Sequence, residues 1–511
     1  MLKSNILKIA LFATGLSGIV AEYILSTLAT YFLGNAVIQW TLIVSIMLFS
    51  MGLGSRISKQ FEKDLLKKFV FVEFTLSILS AFSALIVYVI AAYTFYTGVI
   101  IYLLSIAIGL LIGMEIPMVI RLNAQFESLK VNVSSVLEKD YYGSLVGGIF
   151  FAFVGLPFLG LTYTPFILGS INFIVALLLL WLLWREVKPG SRRQLSVVGS
   201  TVAVILLAGF FVAQPIILFG EQKRYRDKIV YAEQSRYQKI VITQWKEDYW
   251  LFINGNQQLS TLDEVMYHEP LVHPAMSLHP HPQQVLILGG GDGCAAREVL
   301  KYKSVEKITL VDLDPAMTNL GQTHPVLTQL NEGSLNHEKV QVINQDAFIY
   351  IEKSHNFYDV VLIDLPDPKT VDLNQLYTKE FYQLLRRKLR PNGIVITQAG
   401  SPYFATKAFL CIEKTLKEAG FNTVKMHNQI VTLGEWGWVL GSTNQEIDLK
   451  ERLQLKTFGD VQTEWINNEA MSLITSFGKS IYTETIDSVK VNRIHNPVLY
   501  QYYLKGNWDI Y

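Results

Sequence analysis

The feature that most constrains this 511-residue chain is a series of seven apolar stretches in its first 220 residues. They cover roughly 6–32, 38–57, 69–93, 98–119, 143–161, 165–184 and 197–218. Each approaches the ~20 residues that a helix needs to cross a bilayer core. They are too many for a secretion signal. Glycines recur inside them in close pairs (Gly15 and Gly18, Gly52 and Gly54, Gly109 and Gly113, Gly147 and Gly148). Small residues let helix backbones approach, so a packed multi-pass bundle is expected rather than scattered anchors.

Charge placement sets the expected orientation. Basic residues gather at Lys3 and Lys8, at 56–68, at 121–139 and at 185–193, whereas the connections 34–37, 94–97 and 161–164 carry none. The positive-inside rule places the N-terminus in the cytoplasm of an inner-membrane protein. Seven crossings would then leave everything after Leu218 outside. Yet Lys223, Arg224, Arg226 and Lys228 also resemble a cytoplasmic flank. Giving the charges more weight predicts a cytoplasmic second half, with one stretch re-entrant or the count off by one. Glu22, Glu73 and Glu115 fall in or near the stretches, where a charge is costly and functional by default. Glu22, near mid-span, suits either a cation site or a hydrogen-bonded helix contact. Glu73 and Glu115 are near enough to span ends that an interfacial position is equally open.

The whole chain carries 44 basic and 43 acidic residues, a balance that argues against nucleic acid as a partner. Its two cysteines, Cys294 and Cys411, can form no disulfide framework and lack metal-ligand spacing. His279 and His281 flank Pro280 and read as loop residues.

The second half is organised around VLILGGGDGCAAREVL, residues 285–300. Four apolar residues predict a buried strand, and the glycines that follow (Gly289, Gly290, Gly291, Gly293) a tight turn into a helix. Such a turn lets backbone N–H groups meet a nucleoside or nucleotide. Apolar runs 308–311, 340–343 and 360–363 follow, with Asp312, Asp346 and Asp364 at or just after their ends. Asp312 lies about 20 residues beyond the turn, where a carboxylate meets ribose hydroxyls in a nucleoside-binding α/β sheet. Before the turn, 239–245 and 250–253 form an expected hairpin, and Asn254–Gly255 a further turn. Asp263 and Glu264 then precede Tyr267, His268 and Glu269. This polar run suits a substrate-facing segment, and Thr261 with Glu264 suits a capping box.

In order the chain carries YQ (Tyr237, Gln238), NGNQQLSTLDE, YHE, GGGDG, VDLD, QDA and DLPDP. This series, over about 236–442, resembles the polyamine aminopropyltransferases, the spermidine synthase family. The later segments LYTKEFYQLLRRKLRPNG, QAGSPYF and GEWGWVL resemble the bacterial branch with an N-terminal multi-pass membrane domain. The resemblance implies a helical membrane bundle (1–220), a small β domain (221–282), a Rossmann-like, methyltransferase-type α/β domain (283–445) and a C-terminal extension (446–511). It implies transfer of the aminopropyl group of decarboxylated S-adenosylmethionine to a polyamine, usually putrescine, with methylthioadenosine released. Neither a metal nor a redox cofactor is implied. Homo-oligomers are common in the family.

By position, the resemblance makes Asp364 the catalytic aspartate, with Tyr267 beside it. It assigns Gln238, Gly289, Gly291, Asp292, Asp312, Asp346 and Ala347 to the donor. His268, Glu269 and Asp367 fall to the acceptor amine. The chain departs from the family in four places. Asn254 replaces the aspartate of the usual LDG, and Asp312 is shorter than the usual glutamate. Asp364-Leu365-Pro366-Asp367 keeps both acids of the core motif without its hydroxyls. Val431-Thr432-Leu433 lacks the tyrosine that lines the acceptor pocket. A methyltransferase using intact S-adenosylmethionine, and a polyamine transporter or sensor without catalysis, are the rival readings. Tyr482, Tyr500, Tyr502 and Trp508 mark an aromatic extension with no chemistry of its own, expected to dock on the α/β domain.

Overall fold

The computed structural model describes residues 2–94, 96–478 and 484–506. Tyr482 and Trp508 lie outside them. The chain forms two compact units, Met1–Ile229 and Val230–Tyr511.

The first unit is helical: α1 Leu2–Leu33, α2 Ala36–Ile57, α3 Leu65–Ala91, α4 Thr97–Asn123, α5 Leu129–Phe150, α6 Gly160–Leu182 and α7 Pro189–Arg224. A π-helical stretch, Phe151–Leu159, joins α5 to α6. Among the described residues six helices are long and apolar enough to cross a membrane, counting Leu129–Leu182 as one. That run of 54 residues is broken at Gly160, whose φ of 60° and ψ of −170° leave the helical region. Its two legs run in opposite directions. Glu127, just before α5, accepts from Ser4 (2.9 Å) and Lys8 (2.6 Å), and Glu186, just after α6, pairs with Lys3. Both ends of the run therefore meet the start of α1. Glycine lets the rods touch: a Cβ on Gly15 would overlap the Asp140 carbonyl, and one on Gly113 that of Met51.

Two expectations change here. The helix α7 continues to Arg224, past the boundary expected at 220. Arg224 stacks on Tyr31 and Phe32 (4.2 and 4.8 Å to the ring centroids), beside the end of α1. The two basic clusters therefore stand at opposite ends of the bundle. Glu73 and Glu115 are fully buried among helices rather than interfacial. Glu115 accepts from Thr14, while among the described residues neither carboxylate oxygen of Glu73 has a hydrogen-bond partner.

The second unit holds two sheets. The smaller has β1 Lys228–Gln234, β2 Lys239–Trp245, β3 Asp248–Ile253 and β4 Asn256–Ser260 in sequential order. The larger has β5 Gln284–Gly289, β6 Lys307–Asp312, β7 Val340–Asn344, β8 Tyr358–Asp364, β9 Leu389–Gln398, β10 Asn422–Ile430 and β11 Gly434–Ser442. Its order is β10-β11-β9-β8-β5-β6-β7, parallel from β9 to β7, with β11 antiparallel between β9 and β10. The central strands are buried on both faces, which is why they read as continuous apolar runs. The order reverses direction at β5, which lies between β6 and β8. A cleft opens at such a switch point beyond the carboxyl ends of the strands.

The smaller sheet is not a separate body. Ile240, Ile242, Leu251 and Leu259 pack on Cys294, Met317, Leu320 and Leu327 below the glycine turn. The C-terminal residues also enter the core. Ile466, Met471 and Ile474 lie in one apolar cluster, Leu499 and Tyr503 in another.

Candidate active site

The glycine turn exists because two backbones meet there. Gly289 has φ 83°, and a Cβ on it would overlap the Asp364 carbonyl oxygen on the neighbouring strand β8. Gly290 N–H donates to that same carbonyl (3.2 Å). A Cβ on Gly291 would stand 2.8 Å from Asp312 Oδ2, which accepts the Gly291 N–H at 3.2 Å. The turn leads into the helix α9, Cys294–Leu300, once the helix α8, Val265–Leu278, has crossed above the sheet.

A cavity of about 380 Å³ opens over these strand ends. Asp364 at the end of β8, the turn after β5, Asp312 at the end of β6 and Asp346 after β7 line it in that spatial order. Three inter-strand steps span roughly 14 Å, enough for an extended nucleoside with a side arm. Asp346 also caps the helix Ala347–Lys353 by accepting from Ile349 N (2.9 Å). Burial pushes the Asp312 carboxyl up to about 6, against the hydrogen bonds it accepts from Asp314 and Gly291.

The other end of the cavity is acidic. Tyr267, in the first turn of α8, donates to Asp364 Oδ1 at 2.7 Å. Burial pushes Asp364 up to about 6, and the charge of Asp292 adds to the rise, while His268 and Tyr267 oppose it. His268 Nδ1 sits 2.6 Å from Glu264 Oε2, and Nε2 lies 3.8 Å from Asp292 Oδ1. Burial disfavours a charged ring, but the hydrogen bond to Glu264 and the surrounding carboxylates outweigh it and raise His268 to about 9. At neutral pH the ring is therefore an imidazolium. In that form it balances the acids of the site. Arg297 completes this buried network through bonds to Glu264 of 2.7 and 3.2 Å. Asp367 accepts from Tyr503, and burial raises it despite that bond and the Lys369 charge 3.8 Å away.

Such a cavity suits a cationic ligand: carboxylates gathered against apolar walls hold an ammonium, and Asp364 at the acidic end titrates close enough to neutrality to accept a proton. The spermine/spermidine synthase domain model matches residues 264–451. The polyamine aminopropyltransferase of Oceanobacillus iheyensis is 40% identical over 502 residues, covering 97% of this chain and 96% of that protein. Polyamine aminopropyltransferase 2 of Aquifex aeolicus is 43% identical over 505 residues, covering 98% and 99%. The chain belongs to the polyamine aminopropyltransferases. A crystal structure of spermidine synthase in complex with the transition state analogue AdoDATO is similar at 28% identity and a TM-score of 0.45, covering 49% of this chain and 86% of that one.

This aminopropyltransferase is thus a transferase of the spermidine synthase type, whose family takes decarboxylated S-adenosylmethionine as co-substrate. Its cavity brings together Gln238, Tyr267, His268, Gly289, Gly291, Asp292, Asp312, Asp346, Ala347, Asp364 and Asp367. Glu269 is not among the lining residues. Its carboxylate accepts the backbone N–H groups of Glu464 (2.6 Å), Trp465 (2.9 Å) and Ile466 (2.7 Å), so it anchors the C-terminal extension and the expected acceptor contact is withdrawn. The capping box also fails. Glu264 itself stands at the N-cap position of α8 but makes no capping bond, spending its carboxylate on Arg297 and His268, while Thr261 Oγ1 bonds Tyr249 N and Asp248.

Sequence reasoning passed over several residues. Gln398 Nε2 donates to Leu365 O (2.8 Å) and Tyr377 OH (2.9 Å). The Tyr377 hydroxyl also bonds Pro366 O (3.1 Å), which fixes the Asp364–Asp367 loop from below. Gln398 and the lining residue Trp436 both lie in segments quoted for the resemblance, so a readable signal existed. Tyr503 had none.

Proposed function

We propose that the protein is a membrane-anchored aminopropyltransferase that moves the aminopropyl group of decarboxylated S-adenosylmethionine onto an amine of a polyamine, with putrescine as the first acceptor. The observation that carries this reading is Asp364, bonded to Tyr267 and poised near pH 6 between the glycine turn and Asp367.

In this reading Gly289, Gly291, Asp312, Asp346, Ala347 and Gln238 hold the nucleoside. Asp292 faces the donor's terminal ammonium, a position where the carboxylate of intact S-adenosylmethionine would be repelled. Aliphatic amines titrate at about 10, so the attacking amine must lose a proton to expose its lone pair. Asp364 takes that proton. The lone pair attacks the propyl carbon on the sulfonium, the C–N bond forms as the C–S bond breaks, and the electron pair leaves on the neutral sulfur of methylthioadenosine. Asp367 holds the second ammonium of the diamine. Holding the two reactants in line supplies much of the acceleration.

The anchoring reading rests on the six long apolar helices. With Leu129–Leu182 crossing twice, the N-terminus and Arg224 face opposite sides of a lipid bilayer.

Mass spectrometry of reaction products tests the reaction. The intact protein with putrescine or spermidine yields methylthioadenosine and an aminopropylated amine from the decarboxylated donor, and nothing from intact S-adenosylmethionine. Methyl transfer from the intact donor would overturn the reading.

A further inference from the structure

The chain lacks a tyrosine in its 431–433 segment and hydroxyls in its Asp364–Asp367 motif, yet Asp367 does receive a hydroxyl. It comes from Tyr503, more than a hundred residues away, in the helix Leu499–Leu504. Tyr503 is almost fully buried and does not itself line the cavity, whereas Asp367 does.

The helix is built into place. Asn492, fully buried, accepts from Val498 N (3.2 Å) and Leu499 N (3.3 Å) through Oδ1, and its Nδ2 donates to Tyr377 O (3.0 Å) and Asn374 O (3.3 Å). One side chain thus ties the start of the helix to the 374–377 segment beneath the Asp364–Asp367 loop. The Tyr503 ring packs against Gly400, where a Cβ would come within 3.3 Å, and Lys369 Nζ lies 5.7 Å from the ring centroid. A carboxylate in a half-buried wall rotates to whatever partner it finds. Gln398 Nε2 reaches Oδ1 only at 3.4 Å, and the Tyr503 donor fixed on Oδ2 removes the remaining freedom.

We propose that Tyr503 is a positioning residue for the acceptor: the C-terminal helix holds Asp367 by its Oδ2 oxygen in the orientation that receives a polyamine ammonium. Acceptor recognition in this enzyme is therefore shared with a segment outside the matched synthase domain, 264–451. The proposal rests on the reading of Asp367 as the acceptor's anchor, and it locates where amine selectivity can be altered without touching the donor site.

Tyr503→Phe removes the hydroxyl and keeps the ring. A hydrogen bond to a charged group is worth about a factor of ten or more, so the KM for putrescine should rise at least tenfold. The affinity for methylthioadenosine, measured by calorimetry, should stay within about twofold, since only one end of the cavity is disturbed. The decisive measurement is a double-mutant cycle with Asp367→Asn. If Tyr503 acts through Asp367, its removal adds little once Asp367 is neutral. An unchanged amine KM, a parallel loss of donor affinity, or fully additive effects would each overturn the proposal. Calorimetric titration of putrescine and spermidine into both proteins separates this from the catalytic reading. A parent that binds amine but forms no methylthioadenosine refutes catalysis and leaves the comparison intact. A parent that binds neither amine refutes the positioning role.

Discussion

Tyr267 donates a 2.7 Å hydrogen bond to Oδ1 of Asp364, joining the first turn of α8 to the end of β8. The bond aims one carboxylate oxygen; in the proposed reaction the other meets the incoming amine. Replacing the acid by Asp364→Asn keeps the shape and removes the proton acceptor. Turnover should fall at least ~100-fold while methylthioadenosine binding stays within a few-fold. Activity of the parent should fall as pH drops through about 6, where the carboxylate takes up a proton. Near-normal turnover in the variant would remove Asp364 from its role.

His268 and Glu264 give stability a pH dependence of opposite sense. The ring is raised from 6.5 to about 9 in the folded protein. The stabilisation is complete below 6.5 and is lost as pH climbs through about 9. The thermal midpoint should decline across that window. Glu264→Gln should flatten the decline and destabilise by about 3 kcal/mol, because Arg297 and His268 then lose a buried partner. A midpoint in the variant equal to the parent's would contradict the network.

Glu269→Gln separates anchoring from acceptor binding. Three backbone N–H groups of 464–466 lose their carboxylate, so the midpoint should drop by several degrees, as losing ~1–3 kcal/mol implies. The amine KM of the folded fraction should not change. A raised amine KM at an unaltered midpoint would return Glu269 to the acceptor pocket.

Gly291→Ala presses a methyl to within 2.8 Å of Asp312 Oδ2 and 2.9 Å of Met317. Donor affinity should fall about tenfold, equivalent to ~1.4 kcal/mol, with the fold retained. Gly289→Ala meets main chain at positive φ and should not fold at all. Calorimetry with methylthioadenosine and the yield of folded protein distinguish the two.

Lys3→Cys and Arg226→Cys test the helical count. Both native cysteines are buried, so a membrane-impermeant maleimide reports the introduced ones. In intact spheroplasts one variant should label and the other should not. Labelling of both would mean an even number of crossings.

The sheet was readable because a doubly buried strand must be apolar throughout, and the runs at 285, 308, 340 and 360 are. The turn was readable because only glycine tolerates the approach of Asp364 O to Gly289. The roles proposed for the Asp residues came from a family resemblance, and spacing alone would have left them as helix caps, which Asp346 also is. Seven apolar stretches announced the bundle. Their direction was not legible, since a positive φ at Gly160 decides that 129–182 folds back on itself.

The sequence by itself determined the classes of element, the glycine turn and the family, because these depend on local periodicity and on short motifs. Only the tertiary structure decided what the long-range partners do. Glu269 and His268 are neighbours on one helix, yet one binds main chain from 464–466 and the other faces Asp292 in the cavity. Tyr503 reaches Asp367 across more than a hundred residues. Side-chain direction and loop closure set such pairings, and neither leaves a trace in spacing along the chain.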